Sequence, residues 1–214
     1  MEVSDHRSAS QLALKRIVIV VAILNLAYFA VEFWVGQTIG SVSLFADSVD
    51  FLEDASVNIL VFFALGFSAF YRRIIGLGFV ALLIVPSCAA LYTAWDKFAH
   101  PSIADPALLT VTALGALLVN GFCAYLLARV RHHGGSLSKA AFLSARNDMA
   151  ANVAMIAAGG LTAATLSIWP DVIVGLGIAA LNATAAYEMY EAAMSEAGES
   201  EAGETDPAQL EPRP

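Results

Sequence analysis

Charged side chains are scarce in this sequence. They make up 14% of its 214 residues, whereas a soluble domain of this length would carry about 25%. The hydrophobic residues, 58% of the chain, fall in long blocks. The ten-residue alternating segments of a membrane β-barrel are missing as well. The composition therefore argues against a soluble domain and favours a protein built from membrane-spanning helices.

Cysteine and clustered basic residues are also in short supply. Cys88 and Cys123 form no CxxC or Cys/His cluster, so a thiolate zinc site is unsupported, and we expect both to pack as small core residues. Removing the eight acidic residues and one base from Glu188 onwards leaves 11 acidic and 10 basic residues. This nearly neutral body has no basic surface for nucleic acid, so the expected partner is the lipid bilayer.

Six hydrophobic blocks follow one another along the chain, each near the ~20 residues that a spanning helix needs. They cover residues 17–35, 43–70, 74–95, 106–128, 140–168 and 170–190. Trp34, Trp95 and Trp169 lie at block ends, where interfacial aromatic residues are common. The sequence therefore predicts an all-α membrane protein with six transmembrane helices.

The basic residues predict the orientation of these helices. They lie before the first block and in alternate connections, at Arg7, Lys15, Arg16, Arg72, Arg73, Arg129, Arg131 and Lys139, whereas the opposite connections hold only Lys97. By the positive-inside rule both termini are cytoplasmic, in a multi-pass protein of the cell (plasma or inner) membrane. We expect a retained cytoplasmic segment at 1–16, a transport domain at 17–190 and a disordered acidic tail at 191–214.

The second block carries a seam of acidic residues. At 100° per residue, Asp47, Asp50, Asp54 and Asn58 fall within an arc of roughly 80°, and Glu53 lies on its flank. A charged carboxylate at the centre of a membrane helix costs about 2.5–3.5 kcal/mol, so a seam within the bilayer needs a bound cation, protons or water. The alternative is an amphipathic turn outside the membrane.

The fifth block carries a second polar seam, formed by Ser144, Asp148 and Asn152 with Asn147 beside it. Asp148 follows Lys139 by nine residues, which places it roughly 13 Å deep at 1.5 Å per residue. That depth is near the middle of a hydrocarbon core of about 30 Å. Arg146 points to nearly the opposite side of this helix, and the sequence does not identify its partner.

A polar face on the first block holds Asn25, Tyr28 and Glu32. It fits either a proton or water path or a hydrogen-bonded stripe between helices. Glu32 is therefore grouped with Glu53, Asn58 and Asn152 as residues that surround the site or carry protons.

The two acidic seams together have the donors that a divalent cation requires. A dehydrated dication needs several donors converging within about 2–2.5 Å. Asp50 and Asp54 offer two carboxylates, Asp148 a third, and Ser144 or Asn147 a neutral oxygen; Asp47 is a further candidate. In the empty site, burial and mutual repulsion favour protonated carboxyls, and metal binding expels those protons. This exchange is a physical basis for proton-coupled antiport.

Two motifs carry a family resemblance. Residues 43–54, Ser-Leu-Phe-Ala-Asp-Ser-Val-Asp-Phe-Leu-Glu-Asp, and residues 142–148, Phe-Leu-Ser-Ala-Arg-Asn-Asp, resemble the second-helix and fifth-helix motifs of the cation diffusion facilitator (cation efflux) family. The resemblance implies metal–proton antiport by alternating access, as a homodimer, with Asp50, Asp54 and Asp148 as metal ligands. It further suggests that the family's folded cytoplasmic C-terminal domain is missing here.

The resemblance also bears on the choice of cation. Ser144 stands where the family motif has an imidazole or a carboxylate, and an all-oxygen shell favours Mn²⁺ or Fe²⁺. Zn²⁺ or Co²⁺ remains an alternative if water or Asn147 completes the shell. The adjacent His132 and His133, in the fourth connection, are a candidate entrance site or an ordinary exposed loop pair.

Two other functions fit the same sequence. One is a metal-binding or regulatory membrane subunit that has lost transport, and it is favoured by Ser144 and the missing domain. The other, ranked lower, is an intramembrane enzyme that uses paired carboxylates as acid and base, for which no nucleophile–base pair is evident. No cofactor is expected; the cargo is a divalent cation, with protons as the coupling ion.

Overall fold

The computed structural model describes residues 2–64, 69–130, 135–184 and 187. In these ranges the chain forms six helices and no strand. The helices are α1 Glu2–Ile39, α2 Val42–Ala64, α3 Ala69–Ala99, α4 Pro106–Val130, α5 Gly135–Thr165 and α6 Trp169–Thr184. The prediction of an all-α protein with six helices is confirmed. The predicted tail at 191–214 and the pair His132–His133 lie outside the described residues.

Two of the helices are long and apolar enough to cross a membrane by length and composition, over Leu12–Ile39 and Pro106–Val130. The shorter α6 is also apolar, over Trp169–Thr184. By contrast, α2 carries four acidic residues within its first 13 positions. Six membrane spans therefore remain a prediction.

A tight turn joins α1 to α2. Gly40 adopts φ +63°, a left-handed conformation that glycine reaches without steric cost, and the Ser41 N–H bonds the Gly36 carbonyl at 3.0 Å. Ser41 then caps α2, because its Oγ accepts a hydrogen bond from the Leu44 N–H at 3.2 Å. The two helices consequently run antiparallel as neighbours.

The other helix ends agree with the sequence in part. Asp105 caps α4 by accepting the N–H groups of Ala107 and Leu108 at 2.9 and 3.0 Å, and Pro106 is the first helical residue, as predicted. Instead of continuing to residue 168, α5 ends at Thr165, where Leu166 adopts φ 48°.

The helices pack around α2, which contacts α1, α3 and α5, while α4 lies along α5 and α1. A buried apolar cluster joins five helices through Leu44, Phe45, Ala90, Leu109, Met155 and Ile178. Trp34, Trp95 and Trp169 are more than half exposed. Cys123 is buried as expected, but the expectation for Cys88 was wrong, because its side chain is exposed on the surface of α3.

Candidate metal centre

The acidic seam of α2 meets the polar seam of α5. The Ser144 hydroxyl donates a hydrogen bond to Asp54 Oδ1 at 2.9 Å. Asp148 lines the same cavity as Asp54 and Ser144. The structure therefore brings Asp54, Ser144 and Asp148 together across the helix interface.

These residues face a cavity of about 240 Å³ between α2, α5 and α6. The candidate residues in its lining are Asp50, Glu53, Asp54, Ser144, Asn147 and Asp148. The sixth helix contributes Asn182, which the sequence reasoning missed. Its amide donates to the Ala46 carbonyl at 2.8 Å and so ties α6 to α2. The sequence did contain a signal for this residue, an isolated amide side chain in an apolar block. Such amides form hydrogen bonds between membrane helices.

The carboxylates around the cavity do not form a ready-made metal shell. In the part of the chain that the structure describes, no group of three or more His, Cys, Asp or Glu side chains is arranged to hold a metal ion. Asp50, Asp54 and Asp148 share a cavity without converging on one point. The neutral oxygens of Ser144 and Asn147 lie in the same lining.

Asp47 makes a different contact from the other acids of the seam. It is fully buried and lies beside Glu32 on α1, which is also fully buried. None of their four carboxyl oxygens has a hydrogen-bond partner among the described residues. Asp47 and Glu32 thus form a pair of neighbouring buried carboxyls, one turn of α2 away from Asp50.

The two asparagines of the seams bind their own helices. The Asn58 amide donates to the Asp54 carbonyl at 2.8 Å, and the Asn152 amide donates to the Asp148 carbonyl at 2.6 Å. Each bond reaches back four residues along the same helix. These side chains support the backbone of the acidic residues and are not part of the cavity lining.

The polar face of α1 contacts α4 through two of its residues. Tyr28 donates to the Thr112 carbonyl at 2.7 Å, and the Cys123 thiol donates to Asn25 Oδ1 at 3.7 Å. These contacts fit the hydrogen-bonded stripe, whereas Glu32 belongs to the carboxyl pair. Arg146 is exposed, away from the cavity.

Comparison with known families decides the class of protein. The model of one family, described as the cation efflux transmembrane domain, matches residues 18–196 of the 214-residue chain. The chain belongs to the cation efflux family. The resemblance predicted from the motifs is therefore confirmed, and the family transports divalent metal cations across membranes. None of the curated proteins compared with the chain matches it.

This cation efflux protein also contains a buried ion pair that the sequence reasoning missed. Lys97 Nζ lies 2.9 Å from Asp171 Oδ2, with both side chains at most 2% exposed. Asp171 Oδ1 accepts hydrogen bonds from the Ser41 and Ser43 hydroxyls, both at 2.7 Å. The Val42 and Ser43 N–H groups complete the cluster at 3.0 and 3.1 Å. An acid in the first turn of an apolar block was a signal for such a partner.

Proposed function

We propose that this protein exports a divalent metal cation in exchange for protons, by alternating access through the cavity between α2 and α5. Asp50, Asp54 and Asp148 are the proposed ligands, and Ser144 and Asn147 add neutral oxygens. The observation that carries the proposal is the meeting of Asp54, Ser144 and Asp148 at one cavity in a chain of the cation efflux family.

The charge of the cavity supports cation binding. Among the described residues, its lining holds four acidic residues and no basic residue. Carboxylates in a low-dielectric interior have to be neutralised, and here protons or a dication can do so. In the proton-loaded state Asp54 and Asp148 share a proton. A dication replaces that proton and draws Asp50 towards the same centre, which couples metal binding to proton release.

The donor set supports a hard cargo. All the proposed donors are oxygens. Oxygen donors suit Mn²⁺ or Fe²⁺ better than they suit metals that prefer thiolate or thioether ligands. Zn²⁺ or Co²⁺ is accommodated when Asn147 or water completes the shell. The cavity of about 240 Å³ is several times the ~30 Å³ that one water occupies, so the cation enters with part of its hydration shell.

The proposal includes the remaining predictions from the sequence. The transport domain spans the cell (plasma or inner) membrane six times, both termini are cytoplasmic, and the protein assembles as a homodimer. The roles of Glu32, Glu53 and Asp47 in passing protons to and from the cavity are also part of the proposal.

Metal uptake into proteoliposomes tests the proposal. Mn²⁺, Fe²⁺, Zn²⁺ or Co²⁺ uptake is measured with and without a proton gradient, in the unsubstituted protein and in Asp54→Asn and Asp148→Asn. We expect proton-dependent uptake that falls by at least about tenfold in both variants, because each loses a charged ligand. Asp96→Asn is the matched control, since the Asp96 side chain is about half exposed and lies outside the cavity lining.

Two outcomes would contradict parts of the proposal. Uptake that is unchanged in Asp54→Asn and Asp148→Asn would remove the site. Metal that raises the melting temperature of the purified protein but produces no flux would favour the non-transporting subunit instead.

A further inference from the structure

A second cavity lies near the connections that join α3 to α4 and α5 to α6. It has a volume of about 430 Å³ and is lined by Lys97, Phe98, Ile103, Leu166 and Trp169, among others. These residues belong to or adjoin the turns at 100–105 and 166–168, at the end that the proposed topology places outside the cell. We call this space the outer cavity.

The Lys97–Asp171 ion pair connects the lining of the outer cavity to the start of α2. Lys97 lines that cavity, but its side chain is only 2% exposed because its ammonium group turns onto Asp171. Asp171 in turn accepts hydrogen bonds from Ser43, which shares one face of α2 with Asp47, Asp50 and Asp54. The ion pair therefore covers the outer end of the seam.

The surrounding part of α2 is closed to solvent. Every residue from Ser41 to Val49 is buried, with at most 5% of its surface exposed. Further along the helix, Asp50 and Glu53 are partly exposed. With the partly exposed Asp148 they line the cavity between α2, α5 and α6, which we call the inner cavity. The seam is thus accessible at Asp50 and Glu53, and it is closed to solvent from Ser41 to Val49.

We propose that the Lys97–Asp171 ion pair is the outer gate of the transport pathway, closed in this conformation and separated whenever the cation leaves through the outer cavity. The proposal rests on the proposed transport function. The pair is suited to this role because a fully buried ion pair adds little net stability, yet breaking it with admission of water frees both charges to be solvated.

Opening the gate also releases the helix that carries the site. Asp171 caps α2 from α6, through the N–H groups of Val42 and Ser43 at the positive end of the helix. Loss of these bonds frees the first turn of α2, two turns before Asp50. Movement of the gate is thereby linked to movement of the proposed ligands, as alternating access requires.

The alternative interpretation is that the Lys97–Asp171 ion pair only holds α2, α3 and α6 together and never opens. A purely structural ion pair and a gate both predict lower thermal stability when the pair is broken. A stability measurement therefore does not distinguish the two interpretations. They differ in access to the seam, because only a gate admits solvent from the outer cavity when the charges are removed.

Chemical labelling at Ser43 distinguishes the two. Ser43→Cys, in a Cys88→Ala/Cys123→Ala background, places a thiol directly beneath the pair. The protein is reconstituted in vesicles, and a charged membrane-impermeant thiol reagent is added on the side of the outer cavity. We expect slow labelling while the pair is intact and labelling at least about tenfold faster in Lys97→Met, because opening shifts the population of accessible states.

Two control variants accompany this experiment. Lys97→Arg keeps the positive charge and should label within about twofold of the parent. Asp96→Asn, one residue away, removes an exposed charge that pairs with His100 and should leave the rate unchanged. Labelling of Lys97→Met at the parent rate, in protein that remains monodisperse, would overturn the gate.

A second variant keeps the test decisive if Lys97→Met does not fold. That substitution leaves the Asp171 charge buried without its partner. Lys97→Met/Asp171→Asn removes both charges, and the same acceleration is expected from it. Metal flux is measured on the same vesicles. Absence of flux in every protein, including the unsubstituted one, would overturn the transport proposal, whereas the labelling rates decide separately whether the pair closes the seam.

Discussion

At the scale of single residues, one hydroxyl joins the two halves of the candidate site. Ser144 Oγ donates to Asp54 Oδ1 at 2.9 Å, across the interface between α5 and α2. The family motif has an imidazole or a carboxylate at this position. A neutral serine oxygen is a weaker ligand for Zn²⁺ than imidazole nitrogen, so this residue is expected to control metal preference.

Replacing this serine should change the selectivity of the site. We expect Ser144→His to favour Zn²⁺ over Mn²⁺ by about tenfold relative to the unsubstituted protein, because imidazole suits Zn²⁺ better. The measurement is the shift in melting temperature during titration with each metal. Thr165→His, at an exposed position on the same helix, is the control. The same order of metals in Ser144→His and its parent would show that residue 144 does not face the ion.

Helical periodicity predicted some of these residue contacts and missed others. It placed Asp54, Ser144 and Asp148 on inward faces, because 100° per residue determines which side chains share a face. It gave no distances between helices, so the pairing of Glu32 with Asp47 and of Lys97 with Asp171 was not predicted. Asn58 and Asn152 share the faces of the acids, yet they bond backbone carbonyls of their own helices.

At the scale of helices, α6 positions the outer half of α2. Asp171, Gly175 and Asn182 all contact α2, through its first turn or through the Ala46 carbonyl. Their spacing of four and seven residues places them on one face of α6. At Gly175 the two backbones approach so closely that an added Cβ would lie 2.6 Å from the Ser43 nitrogen.

This close approach predicts a cost for any side chain at residue 175. We expect Gly175→Ala to lower the free energy of unfolding by about 1–3 kcal/mol, because overpacking forces α6 away from α2. Thermal unfolding in detergent checks the expectation. Gly177→Ala is the matched control, since no atom lies within 4 Å of its Cβ position and alanine favours the helix. Equal stability of the two variants would mean that α6 is not held against α2 at Gly175.

The sequence predicted the number and order of the helices better than their ends. Hydrophobic blocks reflect the length buried in a membrane, whereas a helix ends where its hydrogen bonds end. Accordingly α1 extends back to Glu2 through Lys15 and Arg16, which the block excluded. The apolar stretch after Thr165 continues to Ile168, but the left-handed conformation of Leu166 ends α5 first.

At the scale of the whole molecule, access to the acidic seam is asymmetric. The inner cavity reaches Asp50, Asp54 and Asp148, while the outer cavity is lined by Lys97, whose ammonium group binds Asp171. A carrier that alternates between two sides has one side closed at a time. The direction of the proposed transport therefore depends on which side of the membrane each cavity faces.

The distribution of basic residues predicts that orientation. We expect Ser102→Cys, at the outer turn, to react with an impermeant thiol reagent in intact cells. Ala13→Cys, exposed on the first helix, should react only after the membrane is permeabilised. Both are made in the Cys88→Ala/Cys123→Ala background. Reversed labelling would invert the topology, and the gate at Lys97–Asp171 would then face the cytoplasm and control entry of the cation instead of its release.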